Sequence, residues 1–146
     1  MRISISNIAW DKEEDENVSQ LLCKYNIDAI DIAPSKYFSD FSNTDIKDIT
    51  KIRNWWGDRG IEIIGMQSLL YGTNGLNLFG SCDVQKYMLK HLEGVCRVAN
   101  YLDARRLVFG SPRNRDCTGL SNKRAFEIAI IFFQKLAKIA QKYNVV

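Results

Sequence analysis

Histidine, proline and clustered charge are scarce in this sequence. It holds one histidine and two prolines in 146 residues, and 20 basic against 17 acidic side chains leave a net charge of +3. The basic residues are scattered, so the concentrated basic face that nucleic-acid binding requires is missing. No apolar run approaches the roughly 18–20 residues of a membrane-spanning helix. The opening MRISISNIAW has neither the charged start nor the long apolar core of a secretory signal. A soluble, cytoplasmic protein is expected, without nucleic-acid or membrane partners. The four cysteines (Cys23, Cys82, Cys96 and Cys117) make no C-x-x-C pair, and a zinc site would need closer ligand spacing and more histidine.

Catalytic signatures are also missing. There is no G-x-G-x-x-G or Walker lysine loop to cradle a nucleotide, and no G-x-S-x-G elbow. His91 is the sole histidine, so Ser/His/Asp or Cys/His catalysis has no base in a suitable place. It lies beside Lys90 and Glu93 within a helical pattern and is expected at the surface.

Apolar material is ample, with 46% hydrophobic residues against 25% charged, which suits one folded domain over 1–146. Short β-branched runs alternate with longer segments of helical period. Arg2–Asn7 reads as a first strand, Ala29–Ala33 as a second stopped by Pro34, Ile61–Met66 as a third and Arg106–Gly110 as a fourth. Between them lie helices striped by Val18, Leu21, Leu22 and Tyr25, then by Ile46, Ile49, Ile52 and Trp55 or Trp56. A third helix over about 83–101 carries Met88, Leu92, Val95 and Ala99. The last, 122–143, turns Ala129, Phe132, Phe133, Leu136 and Ala140 inward. Four strand–helix units imply parallel strands joined by right-handed crossovers, an α/β fold.

Two architectures accommodate the pattern: an open doubly wound sheet, or the first half of an eight-stranded barrel, which needs about 250 residues when complete. The ending Tyr143-Asn144-Val145-Val146 reads as the approach to a fifth strand and favours a parallel (βα)4 half-barrel cut before that strand. Such a half would leave an apolar inner face and two unpaired strand edges, and a homodimer through those edges is one way to cover them.

Ligands of parallel α/β folds bind at the carboxyl ends of the strands. Asn7 and Trp10 follow the first strand, Gln67 and Ser68 follow the third, and Ser111, Arg113, Asn114 and Arg115 follow the fourth. Amides and hydroxyls suit sugar hydroxyls, while arginines suit a phosphate. Trp10, Tyr37 and Tyr71 could wall a sugar-sized pocket or serve as core. Asp31, inside the apolar run Ala29–Ala33, is expected to face the barrel interior and either orient a ligand-binding group or pair with an arginine. Paired carboxylates at the strand ends are missing, so the acid and base of a reaction are not evident.

The segments Asn7-Ile-Ala-Trp10, Ile32-Ala-Pro-Ser-Lys36, Gly65-Met-Gln-Ser-Leu-Leu-Tyr-Gly72 and Phe109-Gly-Ser-Pro-Arg-Asn-Arg115 resemble the xylose isomerase-like TIM barrels, nearest to their sugar-phosphate isomerase/epimerase group. The resemblance covers essentially the whole chain as the first four βα units. It implies a sugar or sugar phosphate as partner and metal-assisted proton transfer next to a carbonyl. The implied cofactor is a divalent metal (Mn²⁺, Mg²⁺ or Zn²⁺), held by acids and a histidine at the ends of strands five to eight, beyond Val146. This chain would then supply pocket loops, bind no metal fully and be inactive alone. The alternatives are a non-catalytic α/β interaction module and, against the missing histidines after strands three and four, a DNA-repair endonuclease.

Overall fold

The computed structural model describes residues 2–146. Its four strands are β1 (Ile5–Ser6), β2 (Ala29–Ile32), β3 (Glu62–Met66) and β4 (Arg106–Leu107), and its four helices are α1 (Asp15–Lys24), α2 (Ile46–Gly57), α3 (Cys82–Leu102) and α4 (Asn122–Lys142). The helix bounds follow local chemistry. Asp45, Ser81 and Ser121 each accept a hydrogen bond from a first-turn amide of α2, α3 and α4, and Asp103 ends α3 in the left-handed conformation at φ 59°.

All strand pairs are parallel and the spatial order is β1-β2-β3-β4. That order decides between the two expected architectures. A doubly wound sheet reverses direction and places helices on both faces. A sheet that grows one strand at a time through right-handed crossovers puts every helix on one face. Helix α2 packs on α3 and α3 on α4, as neighbours in such a ring. The result is four consecutive staves of a parallel barrel.

The core lies between sheet and helices. Ile30, Ile32, Met66, Trp56, Met88, Val95, Ala99 and Phe132 are all fully buried there. The opposite face, which a closed barrel turns inward, differs from expectation. Ser6, Asp31, Gly65 and Arg106 lie in one register across the sheet, and Ser4 and Gln67 reach them by hydrogen bonds. The inner face is therefore polar rather than apolar. Asp31 is half-buried, accepts from the Ser4 hydroxyl and makes no ion pair with an arginine among the described residues. Its carboxylate occupies the space left by the missing side chain of Gly65.

At the amino ends of the strands, Arg2 bridges Asp28 (3.0 Å) and Glu62 (2.7 Å). All three are exposed, so this bridge adds little stability. It lies at the opposite end of the sheet from the strands' carboxyl ends. Among the described residues no helix is long and apolar enough to cross a membrane.

Candidate functional site

The carboxyl ends of the strands carry two hydrogen-bonded assemblies. In the first, Ser6 ends β1 and the chain turns at once into a 3-10 turn over Asn7–Ala9. The Ser6 hydroxyl oxygen accepts from the Ile8 amide (3.2 Å) and from Gln67 Nε2 (2.7 Å). Gln67 follows β3, its amide donating to the Ile32 carbonyl, and its Oε1 accepts from the Ser68 hydroxyl at 2.7 Å. Ser68 leaves the strand at φ 57°. One amide side chain thus joins the ends of β1 and β3 on the inner face, where Ser6, Gln67 and Ser68 remain partly exposed. Ser6 was not among the residues singled out from the sequence; an alternating Ile-Ser-Ile-Ser run does not show which serine ends the strand.

In the second assembly, Asn114 sits in a 3-10 turn over Pro112–Arg115 and is 4% exposed. Its Nδ2 donates to the Leu76 carbonyl (2.7 Å), its backbone carbonyl accepts from the Leu78 amide (2.9 Å), and its Oδ1 accepts from the Ser111 hydroxyl. Asn114 therefore fastens the long 67–81 connection to the end of β4. Arg113 and Arg115 flank it and are exposed, with no ion pair among the described residues.

Asn7 and Trp10 point the other way, into the protein. Asn7 is 1% exposed and its Oδ1 accepts from the Ala33 amide at 2.7 Å. The Trp10 indole donates to Asp15 Oδ1 (2.7 Å) and packs on Trp56 with ring centroids 6.3 Å apart. Lys36 Nζ donates to the carbonyls of Asn7 (2.7 Å) and Trp10, tying the β1 end to the β2 end. The Tyr37 hydroxyl donates to Asp15 Oδ2 at 2.9 Å. Of the three candidate wall aromatics, Trp10 and Tyr37 belong to this buried assembly and Tyr71 is 76% exposed.

Burial first, then the Asp15 charge beside it, pushes the Tyr37 phenol well above its ordinary value. Burial also raises the Cys96 thiol to about 11. Both groups keep their proton in the fold at pH values where the unfolded chain loses it. Stability is therefore fully present below pH ~8 and falls as pH rises through the unfolded values near 9 and 10. Tyr37→Phe should flatten part of that alkaline limb in urea melts collected from pH 7 to 11. At pH 7 it should cost about 1–3 kcal/mol, because Asp15 Oδ2 loses a buried partner. An unchanged alkaline limb would refute the assignment.

His91 is not a surface residue. It is half-buried, its Nε2 lies 2.8 Å from the Leu69 carbonyl oxygen, and its ring stands edge-on to Phe41 at 5.3 Å. It supports the 67–81 connection from beneath.

No protein-family model and no curated protein matches the sequence. Solved structures do match. D-psicose 3-epimerase from Clostridium cellulolyticum H10, solved with D-tagatose, superposes at a TM-score of 0.70 and 14% identity, over 99% of this chain and 50% of that one. A sugar phosphate isomerase/epimerase from Parabacteroides distasonis ATCC 8503 gives 0.68 at 15% identity, over 99% and 49%. The 3-keto-D-glucoside 4-epimerase of E. coli gives 0.66 at 13% identity, over 100% and 54%. The chain has the fold of half a TIM barrel. It spans about half the length of the structures it matches, and at these identities the likeness speaks for the fold alone.

The half-barrel's own donor set does not fit a metal centre. Among the described residues no three His, Cys, Asp or Glu side chains come together. The strand-end side chains Ser6, Gln67, Ser68 and Ser111 are neutral, and the inner-face carboxylate of Asp31 is engaged by Ser4. These groups can bind and orient hydroxyls; they do not make a cation cage.

Proposed function

We propose that this chain supplies the substrate-orienting half, the first four βα units, of a sugar or sugar-phosphate isomerase or epimerase barrel. The observation that carries the reading is the Ser6–Gln67–Ser68 chain of hydrogen bonds on the inner face at the strand ends. Such a row offers alternating donors and acceptors to a polyhydroxylated ligand. Gln67, Ser68 and Ser111 hold hydroxyls in this reading, and Arg113 and Arg115 take a phosphate by charge-assisted hydrogen bonds. Asn7, Trp10 and Asn114 act one step back, fixing the loops that carry those groups. Proton transfer next to a carbonyl needs an acid–base pair that this donor set does not contain. The reacting groups and any metal ligands belong to the complementary half.

The purified chain should therefore bind without turnover. In ¹H–¹⁵N NMR, adding D-fructose 6-phosphate should shift amides within residues 6–10, 67–75 and 110–115. The double variant Arg113→Ala/Arg115→Ala should weaken that binding by at least about tenfold, in line with two lost charge-assisted contacts. Shifts confined to other segments, or none at millimolar ligand, would sink the assignment. Ketose isomerisation by the chain alone with added Mn²⁺ or Mg²⁺ would overturn the division of labour.

A further inference from the structure

Three residues of α3, His91, Gly94 and Arg97, follow one another at three-residue spacing and meet the loops that leave β2 and β3. Arg97 Nη2 donates to the carbonyls of Thr44 (2.6 Å) and Phe41 (3.3 Å) in the loop after β2. Gly94 lets that loop come close. A Cβ there would stand 3.1 Å from both the carbonyl carbon and the Cβ of Phe41. His91 takes the Phe41 ring edge-on at 5.3 Å and places Nε2 2.8 Å from the Leu69 carbonyl oxygen. The loop after β2 and the connection after β3 therefore meet at one half-buried imidazole.

That carbonyl belongs to the residue next to Ser68, which turns at φ 57°. A left-handed serine is strained and persists only where its surroundings over-determine it. On its amino side the sheet does so, because the Gln67 amide donates to the Ile32 carbonyl at 3.0 Å. On its carboxyl side the Leu69 side chain is buried and the Leu69 carbonyl is held by His91. A carbonyl only accepts, so Nε2 carries the proton. The turn then aims the Ser68 hydroxyl at Gln67, whose Nε2 reaches Ser6.

We propose that His91 is a positioning residue for the strand-end row. Its Nε2–H fixes the Leu69 peptide, and through it the left-handed turn that joins Ser68 to Gln67 and Ser6. Its packing on Phe41 ties the same row to the loop after β2. The side chain touches no ligand; it holds the groups that would. The consequence for ligand binding rests on the sugar reading above, while the effect on the row itself does not.

The unaltered 146-residue chain gives the first test. Long-range ¹H–¹⁵N spectra of the imidazole should place the His91 proton on Nε2 at neutral pH, and an Nδ1–H tautomer would defeat the proposal whether or not any variant folds. His91→Phe keeps a ring against Phe41 and removes the donor. His91→Gln removes the ring and keeps an N–H donor at about the same reach. The first should lose the left-handed ¹³Cα shift of Ser68 and move the Gln67 side-chain amide signals; the second should keep both. Val98→Ala, a deletion at a fully buried site on the same helix, should lower stability and leave those signals in place. Signals unmoved in His91→Phe, or moved as far in Val98→Ala, would reduce His91 to an ordinary packing residue. In titrations with D-fructose 6-phosphate, His91→Phe should raise the dissociation constant at least about fivefold, the worth of one hydrogen bond, and His91→Gln less than about twofold. A parent chain that binds no sugar phosphate removes the sugar reading and leaves the spectral comparison to decide the role of His91. Equal binding by parent and His91→Phe overturns that role alone.

Discussion

Replacing Gly65 with alanine is expected to destabilise the chain by about 2–3 kcal/mol, the range for forcing an extra carbon into a packed site. Gly65 sits in β3, paired on both sides, opposite Asp31 of β2 and Arg106 of β4. A Cβ there would press on Asp31 Oδ1 and stand 2.9 Å from the Arg106 carbonyl oxygen. The carboxylate could turn away only by leaving Ser4, and the carbonyl is backbone, held between strands. Strand β4 has two residues in the ladder, so little else keeps it in place once that contact is strained. In urea, Gly65→Ala should lower the midpoint with the slope unchanged. Gly110→Ala is the control: its Cβ would meet only Val108 Cγ1, at an ordinary 3.8 Å. That variant should stay within about 0.5 kcal/mol of the parent. Adding Asp31→Ala to Gly65→Ala should restore part of the loss and no more, because the Arg106 carbonyl remains. A fully stable Gly65→Ala would mean that β3 and β4 are not paired in this register.

Much of the fold was legible because four helices each repeat an apolar spacing over several turns. The edge strands were less so. Residues 2–7 alternate as a strand should, yet only Ile5 and Ser6 find ladder partners. The fourth strand likewise shrinks from 106–110 to Arg106–Leu107. Alternation reports what a segment could do; pairing depends on the neighbour. Phe133 shows the same limit on a helix. Its spacing placed it inward, but the side of α4 it occupies faces an open end, leaving it 40% exposed.

The positions of Gln67 and Ser68 after β3 and of Asn114 in a turn after β4 were legible because strand ends and polar turns can be located from sequence. The wiring of the candidate site was not. Gln67 meets Ser6 across 61 residues, Tyr37 meets Asp15 across 22, and Lys36 meets Trp10 across 26. Such contacts follow from the closing of the sheet and leave no periodic trace. Asp15 is one of several acids between residues 11 and 16 at the amino end of α1, and nothing in that run marks it from its neighbours. His91 is a different case, because a signal was there. It stands three residues after Met88 and four before Val95, both fully buried, a spacing that puts it beside the core. The charges of Lys90 and Glu93 hid that geometry.

Trp56→Ala should cost about 3–5 kcal/mol, the usual range for emptying a large aromatic site. A single domain has about 5–15 kcal/mol in all, so the variant should be close to unfolded at 37 °C. Trp56 is fully buried on α2. Its ring meets Trp55 edge-on at 4.8 Å and Trp10 at 6.3 Å, and Trp55 is in turn covered by the Arg59 guanidinium at 3.7 Å. Removing it takes away the backing of Trp10, whose carbonyl and indole connect the β1 end to Lys36 and Asp15. Loss of packing on α2 should therefore reach the candidate site. Hydrogen exchange at Ala33, whose amide is held by Asn7, should quicken more than exchange at Val98, deep in α3. Trp56→Phe separates ring from N–H. The indole nitrogen is buried without a well-formed hydrogen bond, although the Tyr37 hydroxyl lies beside it. If the ring dominates, Trp56→Phe should cost only about 1–2 kcal/mol. A loss equal to that of Trp56→Ala would instead make the Trp56–Tyr37 contact a true hydrogen bond. The Tyr37 hydroxyl would then be held by Trp56 as well as by Asp15.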